Sequence, residues 1–218
     1  MRPVPRAPTV PLDRALDQEP RLVVRQARHL PEILTGIEQA NRYAIHDERG
    51  ALAGLASERG EGAGDFFARW FLRGARPFRM EIYDAAEPAR TVLRLRRPWR
   101  WFLARLEVAD GEGRPVGVVR QRFSWLRRRL DLEGPGGRVL ARLVGPLLHP
   151  WTFRVLGGPP GVEREMGRIE KRWSGLLTET FSTADTFLVT LPRGDPDLRR
   201  LVLAASVLID FRWFERRD

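Results

Sequence analysis

The chain contains no cysteine. That absence excludes disulfides, thiolate zinc sites, haem attachment and cysteine nucleophiles together. Histidine is scarce. His29, His46 and His149 fall in separate stretches with no i, i+4 pair, so neither a metal triad nor a nucleophile–base pair is visible. The chain has no Gly-x-Ser-x-Gly elbow, phosphate loop or dinucleotide fingerprint. Hydrolytic and redox chemistry are therefore not expected. Long apolar runs are missing too. Leu201 to Ile209 is the only one near either end, bounded by Arg199 and Arg200 before it and by Asp210 and Arg212 after it. As a helix it spans about 14 Å, roughly half of a bilayer core. A run that short and that apolar belongs inside a protein core, with Leu201, Val202, Leu203, Val207, Leu208 and Ile209 as its buried residues.

Lysine is nearly absent as well. Lys171 is the only one, so 37 of the 38 basic residues are arginine, against 28 acids and a net charge of +10. Such a field favours polyanionic partners: phosphate head groups, nucleic acid or acidic proteins. Arginine suits phosphate in particular, because its planar fork donates two parallel hydrogen bonds.

Residues 1–20 are proline-rich and have no continuous apolar stretch, so they are expected to be a disordered tail without a secretory signal. The Pro-x-x-Pro spacings from Pro5 to Pro8 and from Pro8 to Pro11 offer a route to a protein partner, although a plain linker is the favoured reading. From residue 21 to 218 a single domain is expected. Alternating apolar residues run repeatedly into an acidic or glycine turn and out again, with inward anchors at Ile82, Val108, Leu132 and Val155. Each unit reads as a β-hairpin. Five hairpins plus strands near Leu22–Gln26 and Phe187–Leu191 give about twelve antiparallel strands. Asp65 to Leu72 reads as an inserted helix with Phe66, Phe67, Trp70 and Phe71 on one face. Twelve half-buried strands are relieved of their edges by closure. A barrel that wide is not filled by its own side chains. The expected fold is mainly β: a closed twelve-stranded antiparallel barrel around the buried C-terminal helix.

The last fifty residues carry a signature. Ile169-Glu170-Lys171-Arg172-Trp173-Ser174-Gly175 is followed by Glu179-Thr180-Phe181, Ala184-Asp185-Thr186-Phe187, Leu208-Ile209-Asp210-Phe211 and Phe214-Glu215. Earlier, Leu34-Thr35-Gly36, Asn41-Arg42-Tyr43 and Arg76-Pro77-Phe78 stand in matching order. Together these resemble the phospholipid scramblase family, within the LURP-one-related superfamily, over about residues 20–216. The resemblance implies a tubby-like barrel around a hydrophobic helix. It also implies membrane-associated lipid binding, or calcium-activated movement of phospholipid between leaflets.

Two departures bear on function. The family's acidic calcium segment is reduced here to Asp185, with Asp195 or Asp197 beyond Arg193, so calcium is a doubtful cofactor with Asp185 and Asp195 as candidate ligands. The family's palmitoylated cysteine cluster is replaced by Arg96-Arg97-Pro98-Trp99-Arg100-Trp101-Phe102. Arginines for head groups and tryptophans for the interface make Arg96, Arg97, Trp99, Arg100 and Trp101 the candidate lipid contact. Packing of both tryptophans on the barrel is an equal alternative. Arg127-Arg128-Arg129, after Trp125, either joins the same basic face or decorates a strand edge against pairing, the second being favoured. The expected function is a scramblase-like protein, peripheral at the cytoplasmic face of an anionic membrane. The alternative is an adaptor or regulatory module binding nucleic acid or protein.

Overall fold

The computed structural model describes residues 8–26, 42–58, 77–99, 102–146, 151–172 and 186–214. Twelve strands run β1 (Arg21–Gln26), β2 (Arg42–His46), β3 (Leu52–Glu58), β4 (Phe78–Asp84), β5 (Thr91–Arg97) and β6 (Arg105–Asp110), then β7 (Pro115–Arg122), β8 (Arg127–Glu133), β9 (Val139–Pro146), β10 (Thr152–Gly157), β11 (Arg164–Arg172) and β12 (Thr186–Thr190). Each pairs antiparallel with its neighbour in sequence, and β1 pairs with β12, Val23 opposite Leu188, to close the barrel. The expected fold is the one observed. The inserted helix expected at Asp65–Leu72 lies outside the described residues.

Period-2 alternation decides which side chains face inward. On β4, Phe78, Met80, Ile82 and Asp84 are buried while Arg79 is exposed. On β10, Phe153 and Val155 point in and Arg154 points out. The barrel interior is filled by helix α2 (Pro196–Ile209), whose residues 201–209 are all buried. Burying each Leu, Val or Ile side chain there contributes about 1.5–3 kcal/mol. The one hydroxyl among them, Ser206, donates to the Leu203 carbonyl at 2.7 Å. The helix starts on Asp195, whose carboxylate accepts from the backbone N–H groups of Asp197 and Leu198.

The two ends of the barrel are built differently. At the end where α2 enters, short turns open on aspartates that accept the turn's own N–H groups. Asp47 accepts from Ala51 at 2.7 Å, Asp84 from Ala86 at 2.8 Å and Asp110 from Arg114 at 2.8 Å. These are the acidic turns of the sequence pattern, and the local acceptor is what fixes them.

Part of the expected tail belongs to this end. Thr9 bridges Leu52, and Leu12–Gln18 forms a helix, α1, with Leu12, Ala15 and Leu16 buried. Gly54 lets α1 sit close, since a Cβ there would lie 3.0 Å from Leu12 Cδ2 and from the Tyr83 carbonyl. Three apolar residues at i, i+3 and i+4 bury one helix face, and the flanking prolines bound the helix instead of breaking it. Arg199 locks this end. Its buried guanidinium donates to the carbonyls of Leu16 and Glu19, and to that of Pro192 at 2.6 Å. It thereby satisfies acceptors that the end of α1 leaves open. Burial pushes its pKa below the usual arginine value, with the charge of Asp17 opposing.

At the far end α2 runs into a π-helical turn, Asp210–Phe214. Asp210, at the end of α2, accepts from the Tyr43 hydroxyl at 2.6 Å. Phe211 stacks on Phe78, with ring centroids 4.4 Å apart.

Two substitutions test this packing by chemical denaturation. Leu203→Asp sets an unpaired carboxylate inside the barrel at a cost on the order of several kcal/mol, and the variant is expected to unfold. Leu16→Ala is expected to lower stability by about 2–5 kcal/mol, although it lies in the segment expected to be a tail.

Candidate functional site

Among the described residues, the far end carries most of the exposed large apolar side chains. The connection from β5 to β6 presents Trp99, Phe102 and Leu103, and that from β7 to β8 presents Phe123, Trp125 and Leu126. Phe102 and Trp125 are 86% and 84% exposed. The two connections lie side by side. The Gln121 N–H donates to the Ala104 carbonyl at 2.8 Å, and the Ala104 N–H donates to Gln121 Oε1 at 3.1 Å. Phe123 and Trp125 meet edge to face with centroids 5.2 Å apart. Trp151 is also partly exposed where β10 starts at this end, beside Lys171, whose N–H donates to the Trp151 carbonyl. A cluster of exposed rings drawn from separate loops marks an interaction surface.

Arginines frame it. Arg96 is exposed at the end of β5, with Glu107 at 3.4 Å, and Arg127 is exposed at the start of β8. Arg128 turns inward and lies over the rings of Trp213 and Phe214, at 5.3 and 5.9 Å from their centroids. Burial lowers its pKa from the ordinary arginine value. Lys171 lies 4.3 Å from the Phe214 ring centroid. Cations over aromatic faces thus plug the mouth through which α2 emerges. The basic run at 127–129 does not decorate an edge, because β8 pairs on both sides. Arg129 reaches Asp131 at 3.3 Å on the outer wall.

The residues expected to contact lipid divide. Arg96 and Trp99 are exposed at the far end. Arg97 is 4% exposed and does not face solvent there. Leu93 and Leu95 face inward, and strand parity carries Arg97 to the same side. Arg100 and Trp101 lie outside the described residues. Phe123 and Leu126 were not expected at the site, and Phe102 and Trp125 stood only beside the residues expected there. Their signal in the sequence is Phe123-Ser124-Trp125-Leu126, an apolar group between arginines that breaks the period of the flanking strands.

Of the calcium candidates, Asp185 lies outside the described residues. Asp195 Oδ1 accepts two backbone N–H bonds at the start of α2, at 3.0 and 3.2 Å. Calcium takes six to eight oxygens. Among the described residues no group of three or more acidic or histidine side chains could hold a metal ion. The described part of the segment does not fit calcium, and Asp195 is a helix cap. His46, the one histidine among the described residues, has Nδ1 3.2 Å from the Gly50 carbonyl, and burial lowers its pKa.

A family model described as Scramblase matches residues 3–216. Phospholipid scramblase 1 of Rattus norvegicus is 31% identical over 228 residues, covering 96% of this chain and 66% of that protein. Phospholipid scramblase 2 of Homo sapiens is 29% identical, covering 92% of this chain and 69% of that protein. Altered inheritance rate of mitochondria protein 25 of Saccharomyces cerevisiae is 24% identical, covering 95% and 74%. The chain spans about two thirds of the length of the mammalian relatives it matches.

The capping role of Asp195 is testable. Asp195→Ala should lower stability by about 1 kcal/mol, by the same amount with and without calcium. Calcium-dependent stabilisation of the parent that the variant loses would make Asp195 a ligand instead.

Proposed function

The chain belongs to the Scramblase family, and from that premise we propose a phospholipid scramblase-like protein that docks the far end of its barrel on an anionic phospholipid surface. The observation that carries this reading is the convergence of Trp99, Phe102, Phe123, Trp125 and Leu126 from two loops at one end, framed by Arg96 and Arg127. Aromatic rings settle at the level of the lipid head groups, and arginine forks hold their phosphates. Arg100 and Trp101 belong to the same contact in this proposal. Arg97 does not, and acts from inside the barrel wall.

No helix among the described residues is long and apolar enough to cross a membrane. The barrel interior is occupied by α2, so a head group finds no polar channel along the barrel axis. Transfer between leaflets, on this reading, takes place in bilayer distorted by the inserted rings. The cytoplasmic leaflet, which carries the anionic lipid, is the surface proposed.

Vesicle flotation tests the docking face. Arg96→Gln with Arg100→Gln should weaken binding to anionic vesicles by about 2 kcal/mol, taking about 1 kcal/mol per arginine near the surface. Added salt should shrink that difference, since exposed charges are screened. Phe123→Ser with Trp125→Ser should weaken binding by an amount that salt leaves unchanged, because ring burial carries it. Neutral vesicles should bind poorly throughout. If both double variants float with anionic vesicles like the parent while the arginine pair loses affinity for nucleic acid, the membrane reading fails.

A further inference from the structure

The turns at the end where α2 enters carry arginines, and two arcs of this rim differ in what answers them. On one arc the turns are fixed by aspartate and their arginines are paired. Arg114 donates to Asp110 and Glu112 at 2.6 and 2.7 Å, and Arg90 donates to Asp13. On the other arc the turns are built from glycine and proline. Gly134-Pro135-Gly136-Gly137 lies between β8 and β9, Gly158-Pro159-Pro160-Gly161 between β10 and β11, and Pro192-Arg193-Gly194 between β12 and α2. Backbone bonds close the two hairpin turns, from the Gly137 N–H to the Gly134 carbonyl at 3.0 Å and from the Val162 N–H to the Pro159 carbonyl at 3.2 Å. They need no carboxylate. Arg138, Arg164 and Arg193 are exposed on this arc, and no carboxylate among the described residues pairs with any of them. The neighbouring acids are engaged: Glu163 accepts from Arg142, Glu165 accepts from Arg154 and Arg168, and Asp195 caps α2.

These arginines share their arc with apolar side chains. Val139 follows Arg138, Val162 stands two residues before Arg164, and Met166 two residues after it. Val162 is 66% exposed, and Val139 and Met166 are partly so. The pieces are contiguous. The bond between Arg142 and Glu163 ties β9 to the β10–β11 turn, and Gly157 leaves the space that the Met166 sulfur fills. Gly167 lets the connection that carries Arg193 run close beside β11, since a Cβ there would stand 3.3 Å from the Pro192 nitrogen. Hairpin tips offer no groove to grip a strand or a helix. A broad anionic surface meets several of them at once, with aliphatic side chains entering between its phosphates.

This patch lies at the opposite end of the barrel from the exposed rings. Strand β8 runs between the two, with Leu126 before it and Gly134 after it. Its seven residues extend about 23 Å. Charge is screened over about 10 Å at 0.1 M salt, so with the rings in one bilayer these arginines add nothing to that contact. We infer that the rim of Arg138, Arg164 and Arg193 binds a second anionic phospholipid surface, so that one barrel bridges two apposed bilayers. The inference rests on docking of the far end as proposed above. Three arginines and small aliphatic side chains hold a bilayer weakly on their own. Many barrels already docked on one vesicle act together, and their weak contacts sum to a stable bridge.

Flotation and vesicle clustering separate the two contacts. The probe is phosphatidylcholine vesicles containing phosphatidylserine, in donor- and acceptor-labelled populations whose energy transfer reports clustering. The parent should cluster them and leave pure phosphatidylcholine vesicles dispersed. Arg138→Gln with Arg164→Gln should cut clustering about tenfold, with flotation within about twofold of the parent. Arg94→Gln with Arg154→Gln, on the wall, alters net charge equally and should leave both readouts unchanged. Phe123→Ser with Trp125→Ser should lose both. A thermal melt shows that each variant is folded. Vesicles loaded with protein and re-isolated by flotation should also cluster with bare anionic vesicles. Clustering of loaded vesicles only with one another would show contact between barrels, and overturns the inference. A wall pair that reduces clustering as much as the rim pair overturns it too. Flotation of the parent without clustering overturns the bridge and leaves the docking reading intact; if the rim pair then loses affinity for nucleic acid, the patch belongs to that partner. Failure of the parent to float overturns both readings.

Discussion

A helix that is apolar on every side cannot lie at a protein surface, and the rest of this structure follows from covering it. Residues 201–209 offer α2 no polar face. Every direction around its axis must therefore meet protein. Twelve strands closed by the β1–β12 pairing meet that demand, and in return α2 fills an interior too wide for the strands' own side chains. Each solves the other's problem. Two of the polar groups drawn inside are held by named partners: Arg199 by backbone carbonyls at the entrance, Asp210 by Tyr43 at the exit.

Closure also fixes where charge and ring can go. A closed sheet has no edge to defend, so its arginines are free for other uses. On β7 to β9 they are matched to Asp131 and Glu133, both nearly buried beneath them. At the mouth, Arg128 and Lys171 lie on aromatic rings. The one-sided placement of exposed rings follows from strand direction: the connections after β5 and β7 leave from the same end, opposite the aspartate-fixed turns. An arginine-rich chain thus divides its charge among a wall, a mouth and a face.

The hairpins and the buried helix were legible because both rest on periodicity: alternation on one hand, unbroken apolarity on the other. Helix α1 was not, since it is a short helix among prolines, and composition outweighed the spacing of Leu12, Ala15 and Leu16. Arg97 was legible in principle. Counting two residues on from Leu93 and Leu95 places it inside, but its arginine identity suggested the surface. The neighbouring loop at Phe123–Leu126 was visible as residues and invisible as a partner of Trp99, because the contact between Ala104 and Gln121 joins segments whose adjacency only the β6–β7 register defines. Asp195 entered as a calcium candidate through the resemblance to the family's acidic segment, whereas its neighbours Pro196 and Asp197 already marked a helix start.

The β1–β12 pairing sets a clock as well as a shape. A chain made from its N-terminus displays β1 to β11 before β12 and α2 exist, so the barrel cannot shut until those two elements have been made. Until then an open sheet shows its apolar face and two unpaired edges, the surfaces on which nascent chains aggregate. Contacts joining residues 21–25 to 186–190 also make loop closure expensive in entropy. The barrel of this domain therefore closes late, only once β12 and α2 have been made.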